Sequence, residues 1–487
     1  MKLIPNNINI PCLIEVAKKK GISLNEKLLV IFLDLISYSY SNPINLRFRH
    51  HINSNRLKKI TNNYKRYIKF LESENIIEID NKYLKNEYSK SYKFTPKYTT
   101  CLKMVDIMVE DDIINNSTSN VLTETPKWLS LQNFNFLKKW FNPLLKIDYS
   151  LALEIITEKK LLIEQLNNLE DSKNTKNYYD YYISTNRSAA LLDASIFKIK
   201  SDTTSGRLHT NLTNMSKDIK YFLTYNNKTL VSLDLVNSQP LLSSILFIPS
   251  FWFDESLNVS SKRTFKKVFS NSSNLNLNIC TINYFDEINK TQNEEHIDNY
   301  NNIINTLSKS FDKPDVIKYK ALVQSGEFYD TFEKQVKELK NNEEITRDEI
   351  KSAIFLVLFS DNRYFAQKEA ELKRIFKTNF PSVYNVFAAI KKRDNAILPC
   401  LLQRLESHIF LSVICNRIIS ENPRIPIFTI HDSILTTKGN EDFIKKMIEE
   451  EFEKLIGFIP KLHKEELLPE IGIERLNKFR DKIKNLE

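Results

Sequence analysis

Two aspartates stand out for what flanks them. Asp432 lies in "IPIFTIHDSILTT", residues 425 to 437, between two short runs of β-branched and aromatic residues. The trio His431-Asp432-Ser433 should therefore form a hairpin tip, and one without glycine. Taken alone, such a carboxylate is either a solvated turn, which Asp and Ser make readily, or a group held out for chemistry. Asp234 ends the apolar run Leu230 to Leu233 in "KTLVSLDLVNSQPLLSSILF". That run has a buried-strand pattern, and an apolar helix is expected after Pro240, because proline suits a first helical turn. In "ITRDEIKSAIFLVLFSDNR", Arg347, Lys351, Phe355 and Phe359 recur every four residues. The spacing puts two cations and two rings on one helix face. A core helix with solvated cations would show the same pattern. "TTSGRLHTNLTN" sets Arg207 beside Gly206, one of only six glycines. Glycine this scarce should sit where backbone geometry demands it.

These groups need elements to position them, and the chain is long enough to supply several. Its 487 residues suggest roughly two to four domains. A hydrophobic content of 42% and a charged content of 27% are ordinary for a soluble globular protein. The net charge of +10 favours an anionic partner, most often nucleic acid. Cys12, Cys101, Cys280, Cys400 and Cys415 lack paired spacing, which argues against a disulfide framework or zinc site and suits a cytoplasmic location. No apolar run looks long enough to span a membrane, and there is no signal-peptide pattern.

Residues 1–104 form a basic unit. "LNEKLLVIFLDLISYSY" and "SNRLKKITNNYKRYIKFLESENIIEI" have helical spacing, the second with Ser54 as its cap, and "NKYLKNEYSKSYKFTPKY" alternates like a hairpin. Two helices and a basic hairpin resemble a winged helix-turn-helix. Arg56, Lys58, Lys59, Lys65, Arg66, Lys69 and the hairpin lysines Lys85, Lys90 and Lys93 would then face phosphate. A protein-binding winged helix with a solvated lysine face fits the same pattern. Residues 105–127 read as a linker, 128–199 as helical, and 260 to 315 as an Asn- and Ser-rich insertion.

Taken in order, the motifs resemble the polymerase module of family A DNA polymerases over residues 130 to 460. "TSGRL" is similar to that family's Thr-Gly-Arg-Leu, and Asn211-Leu212-Thr213-Asn214 to the Asn-Leu-x-Asn that follows it. "LDLVNSQ" resembles motif A, and "TIHDSI" resembles motif C. Arg347, Lys351 and Phe355 match the fingers helix, and "LPCLLQRLES" the segment whose glutamine, here Gln403, touches the minor groove. The resemblance implies an α+β right-hand fold with a helical thumb over 128–199 and palm and fingers over 200–487, the fingers near 260–395. It implies that Asp234 and Asp432 hold two Mg2+ ions, with Mn2+ able to substitute, for phosphoryl transfer from a nucleoside triphosphate. Arg347 and Lys351 would face the departing pyrophosphate, with Lys351 protonating it, while Phe355 and Phe359 stack on the incoming base. Arg207, Gln403 and His431 would contact the nucleic-acid primer-template, with a metal-ligand role for His431 as the alternative.

Three departures bear on the sugar. The glutamate that blocks a ribose 2′-hydroxyl falls on Gln239, whose amide can also donate a hydrogen bond. The usual Tyr-Gly after the fingers helix is Phe359-Ser360, and motif C reads His-Asp-Ser, as in phage-type single-subunit RNA polymerases. The usual proofreading domain is not expected, since residues 1–104 read as a basic winged unit instead. The expectation is a DNA polymerase without proofreading, from a phage, plasmid or other mobile element. The alternatives are an RNA polymerase or primase-like enzyme, a template-independent nucleotidyltransferase such as one in phage defence, and an inactive DNA-binding replication initiator.

Overall fold

The computed structural model describes residues 2–40, 50–84, 88–106, 135–169, 177–202, 204–252, 302–340 and 344–486. The 105–127 segment lies almost wholly outside them, as do Cys280, Lys85, Thr203 and most of the 260–315 stretch. Helices and sheets are mixed along the chain.

In the amino-terminal unit, strand β1 (Lys2–Pro5) pairs antiparallel with a strand a hundred residues later. Between them come helices Ile10–Lys19, Glu26–Ser39, Ser54–Ile60 and Tyr64–Ser73, then β2 (Ile77–Asp80) and β3 (Ser91–Phe94), before β4 (Leu102–Val105) closes on β1. Two details differ from the sequence reading. The cap is Asn53, whose side chain accepts from the Asn55 amide at 2.8 Å, so Ser54 is the first helical residue. The helix also splits at Thr61, which is extended. The hairpin strand begins earlier than expected, because Ile77 and Ile79 already alternate with polar residues.

Strand β5 (Leu145–Ile147) corrects the all-helical reading of 128–199. It is followed by helices Tyr149–Leu169 and Tyr178–Asp193, then by the hairpin β6 (Ile199–Ser201) and β7 (Leu208–Thr210). Three residues of strand are too few to show a period against helical surroundings. β5 joins a six-stranded antiparallel sheet with β8 (Leu223–Tyr225), β9 (Lys228–Leu235), β10 (Ile427–Ile430), β11 (Ser433–Thr437) and β12 (Leu462–Glu466). β9 lies between β11 and β12. The β8–β9 turn is Asn226-Asn227, both at positive φ, as a two-residue hairpin turn requires.

Val231, Leu233 and Leu235 of β9 are buried. Leu233 and Leu235 join a core built with helices Pro314–Ser325, Phe328–Lys340, Arg347–Phe359, Pro381–Ile390 and Ile397–Ser407. A second core joins the amino-terminal unit to helices Tyr149–Leu169, Tyr178–Asp193 and the carboxy-terminal Pro469–Lys484. Across it, buried Arg187 reaches Asp34 at 2.7 Å.

One long helix revises the membrane reading. Ile397–Glu421 runs through a π-helical segment at His408–Ile414, and by length and composition it could cross a membrane. The fold supplies another reason for its apolarity, since 78% of its most apolar stretch is buried in the protein.

Candidate active site

Strand register fixes where the two aspartates meet. Asp234 lies opposite Ser433 on β11 and opposite His463 on β12, so the three residues share one face of the sheet. Ile430 pairs with Ser433, leaving His431-Asp432 as a two-residue turn. The Asp432 carbonyl accepts from the Leu235 amide at 3.3 Å, tying that turn to the end of β9. The glycine-free tip has a definite backbone solution: His431 takes the positive φ of 54°. A non-glycine residue there carries local strain, which the surrounding hairpin must hold in place.

Like charges meet on this face. Burial first, and then the charge of Asp432, push the Asp234 carboxyl up to about 7. Glu465 adds to the push, and Lys217 and Lys220 oppose it. Lys220 is itself held below its ordinary range by burial and by Lys217. His431 is driven down to about 4 by burial and by Arg207, His209 and Lys220, so its imidazole is neutral at pH 7. Its Nδ1 is buried without a hydrogen-bond partner, and its ring lies 6.4 Å from that of His209.

Glu406, which the sequence reading passed over, organises the rest. It is 1% exposed and accepts a two-pronged contact from Arg207, at 2.9 Å from Nε and 2.7 Å from Nη2. It also accepts from Gln239 Nε2 at 2.7 Å. Burial pushes the Glu406 carboxyl up to about 7 against Arg207 and Gln239, and Asp432 adds to the rise. Arg207 is thus spent largely on a carboxylate, and Gln239 is fixed in orientation. The Gln239 amide turns its nitrogen, not its oxygen, toward that carboxyl. Gln239 Oε1 is left buried and unpartnered.

The helix after the aspartate strand spans Ser238–Ser244, two residues earlier than Pro240 suggested, with Asn237 at positive φ before it. Pro240 still falls in the first turn, where its missing amide hydrogen is no loss. Gly206 takes a φ of 70° in the β6–β7 turn that carries Arg207. There Asp202 accepts from the amides of Thr204 and Ser205, and its carboxyl is held far below the usual range: burial would raise it, but His209 and Ser205 prevail.

The structure gathers Asp234, Asp432, His431, Arg207 and Gln239 into one linked group. The helix Arg347–Phe359 is organised differently. Thr346 and Glu349 close its start with a reciprocal capping box. Arg347 pairs with Asp330, Lys351 is exposed, and Phe355 stacks on Phe359 at 5.3 Å between centroids. At the other end Lys373 and Lys391, both buried, donate to carbonyls: Lys391 to Val357 at 2.6 Å and Ser360 at 2.9 Å, Lys373 to Asp361 at 2.9 Å. Gln403 is half-buried on helix Ile397–Ser407. Lys58 and Lys59 are exposed on one amino-terminal helix, Lys65 and Arg66 on the next, with Arg66 donating to the Ser23 carbonyl at 3.3 Å.

Among the described residues no group of three or more His, Cys, Asp and Glu is arranged to hold a metal ion. Two carboxylates nevertheless suit magnesium, which keeps several waters and completes its shell from substrate phosphates. The raised Asp234 marks a like-charge pair that a divalent cation would relieve.

No protein-family description and no curated protein matches the chain. Among solved structures, the chain is similar to the POL domain of Pol1 from M. smegmatis, in complex with DNA primer-template and dNTP. The two are 10% identical, the match covers 73% of this chain and 72% of that one, and the TM-score is 0.35, too low for the likeness to carry weight.

Proposed function

We propose that this chain is a template-directed nucleotidyltransferase, a DNA polymerase of family A type without proofreading. The observation that carries this reading is the register that seats Asp234 beside the His431-Asp432 turn, with the charge of Asp432 opposing the ionisation of Asp234. Asp234 and Asp432 would hold Mg2+, or Mn2+ in its place, which supplies charge stabilisation to the attacking and leaving oxygens. Arg347 and Lys351 lie on an exposed helix face where they can meet a triphosphate, and Lys351 is the candidate proton donor to pyrophosphate. Phe355 and Phe359 offer a stacked aromatic edge to a base. His431, neutral at pH 7, suits contact with a primer end better than charge neutralisation. The Lys58, Lys59, Lys65 and Arg66 face would hold phosphate as part of a winged helix, and Gln403 would reach the minor groove.

Primer extension with Mg2+ and separate dNTP and rNTP pools tests this. Template-dependent extension is expected with dNTPs. Extension that ignores the template would favour the template-independent alternative, and none with either pool would favour a DNA-binding initiator.

A further inference from the structure

Away from the aspartates, cations crowd a single aromatic ring. Tyr38 ends the helix Glu26–Ser39 and is 37% exposed. Arg56 lies 5.0 Å from its centroid, Arg187 5.6 Å and Lys198 4.9 Å. These cations come from three parts of the chain: the amino-terminal unit, the helix Tyr178–Asp193 and the approach to β6. All three lie within roughly 10 Å of one another, near the Debye length at physiological salt, so each still feels part of the others' charge. Asp34 is the carboxylate nearby, but Arg187, Lys2 and the Leu3 amide already engage it. Arg187 is 4% exposed and keeps one buried nitrogen, Nε, without a partner. Arg56 and Lys198 are exposed. Burial and the neighbouring Arg187 hold Lys198 down to about 8, although its side chain reaches solvent. The ring steadies the cations by cation–π contact yet neutralises none of them.

The cluster is also aimed. Lys198 immediately precedes β6, and Lys200 lies within it. Lys200 is paired with His209, whose ring is 6.4 Å from that of His431, next to Asp432. Strand pairing through Lys200 and His209, and the ring contact of His209 with His431, thus connect the Tyr38 cluster to the aspartate turn.

We propose that Tyr38, Arg56, Arg187 and Lys198 form a phosphate site for the nucleic-acid strand that occupies the aspartate site, with Lys200 as the step between. The proposal rests on the polymerase reading for the strand's identity. It adds a fixed anchor at the junction of the amino-terminal unit with the rest of the chain, so that this unit grips a strand already engaged at the aspartates.

The test uses the full chain and primer-templates in which single phosphates are replaced by uncharged methylphosphonates. For wild type, neutralising phosphates within one short run of positions should weaken binding about three- to tenfold. The Arg56→Gln/Lys198→Gln double variant should bind the unmodified duplex more weakly, with a salt slope reduced by about two. It should lose nothing further at those positions, because the same contact is already gone. Lys445→Ala, an exposed lysine next to Glu449, should show the wild-type pattern. Additive losses at every position, or an unchanged salt slope in the double variant, overturns the proposal. So does full competition by millimolar inorganic phosphate, which would mark a free-anion site. Incorporation by wild type in the same samples tests the polymerase reading separately, because the phosphate scan needs only binding.

Discussion

The acids and the cations of this candidate site are placed by opposite means. Asp234 and Asp432 take their positions from backbone register, and a one-residue slip would turn Asp234 to the other face of β9. Their environment is half-buried and self-repelling. Arg347 and Lys351 stand on the outer face of a helix whose inner face, Ile350, Ile354, Val357 and Leu358, is buried. Nothing in the backbone dictates where those long side chains end. Arg347 rests on Asp330 at the surface, a type of pair worth little by itself. Under the polymerase reading, the sheet would fix its carboxylates in place before substrate arrives, whereas substrate would have to collect the charge of the helix.

The sharpest way to break this contrast is to neutralise an acid. Asp234→Asn or Asp432→Asn should cut incorporation by roughly a thousandfold or more while leaving primer-template binding nearly intact, because shape is kept and only metal-binding charge is lost. Single-turnover extension in magnesium measures it, and near-normal rates in either variant would dismiss the aspartate pair. The helix should prove softer. Lys351→Ala should slow incorporation by about ten- to a hundredfold, within the range for losing a general acid. Asp330→Asn, which releases Arg347 from its surface partner, should change the rate by no more than about twofold. A larger loss in Asp330→Asn than in Lys351→Ala would reverse the ranking.

A pH experiment isolates the strain on the acid side. Burial and Asp432 raise Asp234 from its ordinary 3.8 to about 7, so the native state holds that proton more tightly than the unfolded chain. Its contribution to stability is full below about pH 4 and is lost as pH climbs through 7. Metal-free protein should therefore lose stability over that window relative to Asp234→Asn, by on the order of 4 kcal/mol at pH 8. Thermal unfolding in chelator from pH 4 to 8 reads the difference, and magnesium should close it. Parallel curves for the two proteins would mean that the pair carries no such strain.

What the sequence disclosed follows the same divide. Asp234, Asp432 and the helix from Arg347 were legible because period two and period four survive in short stretches. Glu406 was not, because its role depends on Arg207, 199 residues away, folding back onto it. Lys373 and Lys391 look like surface lysines in sequence, yet they cap the carbonyls at the end of the Arg347–Phe359 helix. β5 was hidden by its brevity, and the Asn226-Asn227 turn by the abundance of asparagine elsewhere. The amino-terminal unit looked separable at residue 104, but Arg187 and Asp34 bind it to the helix Tyr178–Asp193. Deleting it would strand a buried charge, so charge substitutions probe it better.

The smallest expected effect concerns the sugar, where structure revises what the residue type suggested. A glutamine in place of a blocking glutamate could offer a ribose hydroxyl either a donor or an acceptor. Here the donor half is taken, since Nε2 gives its hydrogen bond to Glu406 at 2.7 Å and Arg207 holds Glu406 from the other side. What remains is Oε1, buried and without a partner. Under the polymerase reading Gln239 then behaves as an uncharged glutamate: its bulk favours deoxyribose, while its lone acceptor can take the 2′-hydroxyl hydrogen of any ribose that squeezes in. Such a hydrogen bond is worth about 0.5–1.5 kcal/mol, or roughly three- to tenfold. Gln239→Leu keeps the bulk and deletes the acceptor, so rNTP use relative to dNTP should fall by that factor. Gln239→Gly removes the bulk, so the ratio should rise. Competing dNTP and rNTP incorporation on one template measures both variants against wild type. An unchanged ratio in Leu with a rise in Gly would show that size alone governs the choice, and no movement in either would take Gln239 out of the sugar pocket.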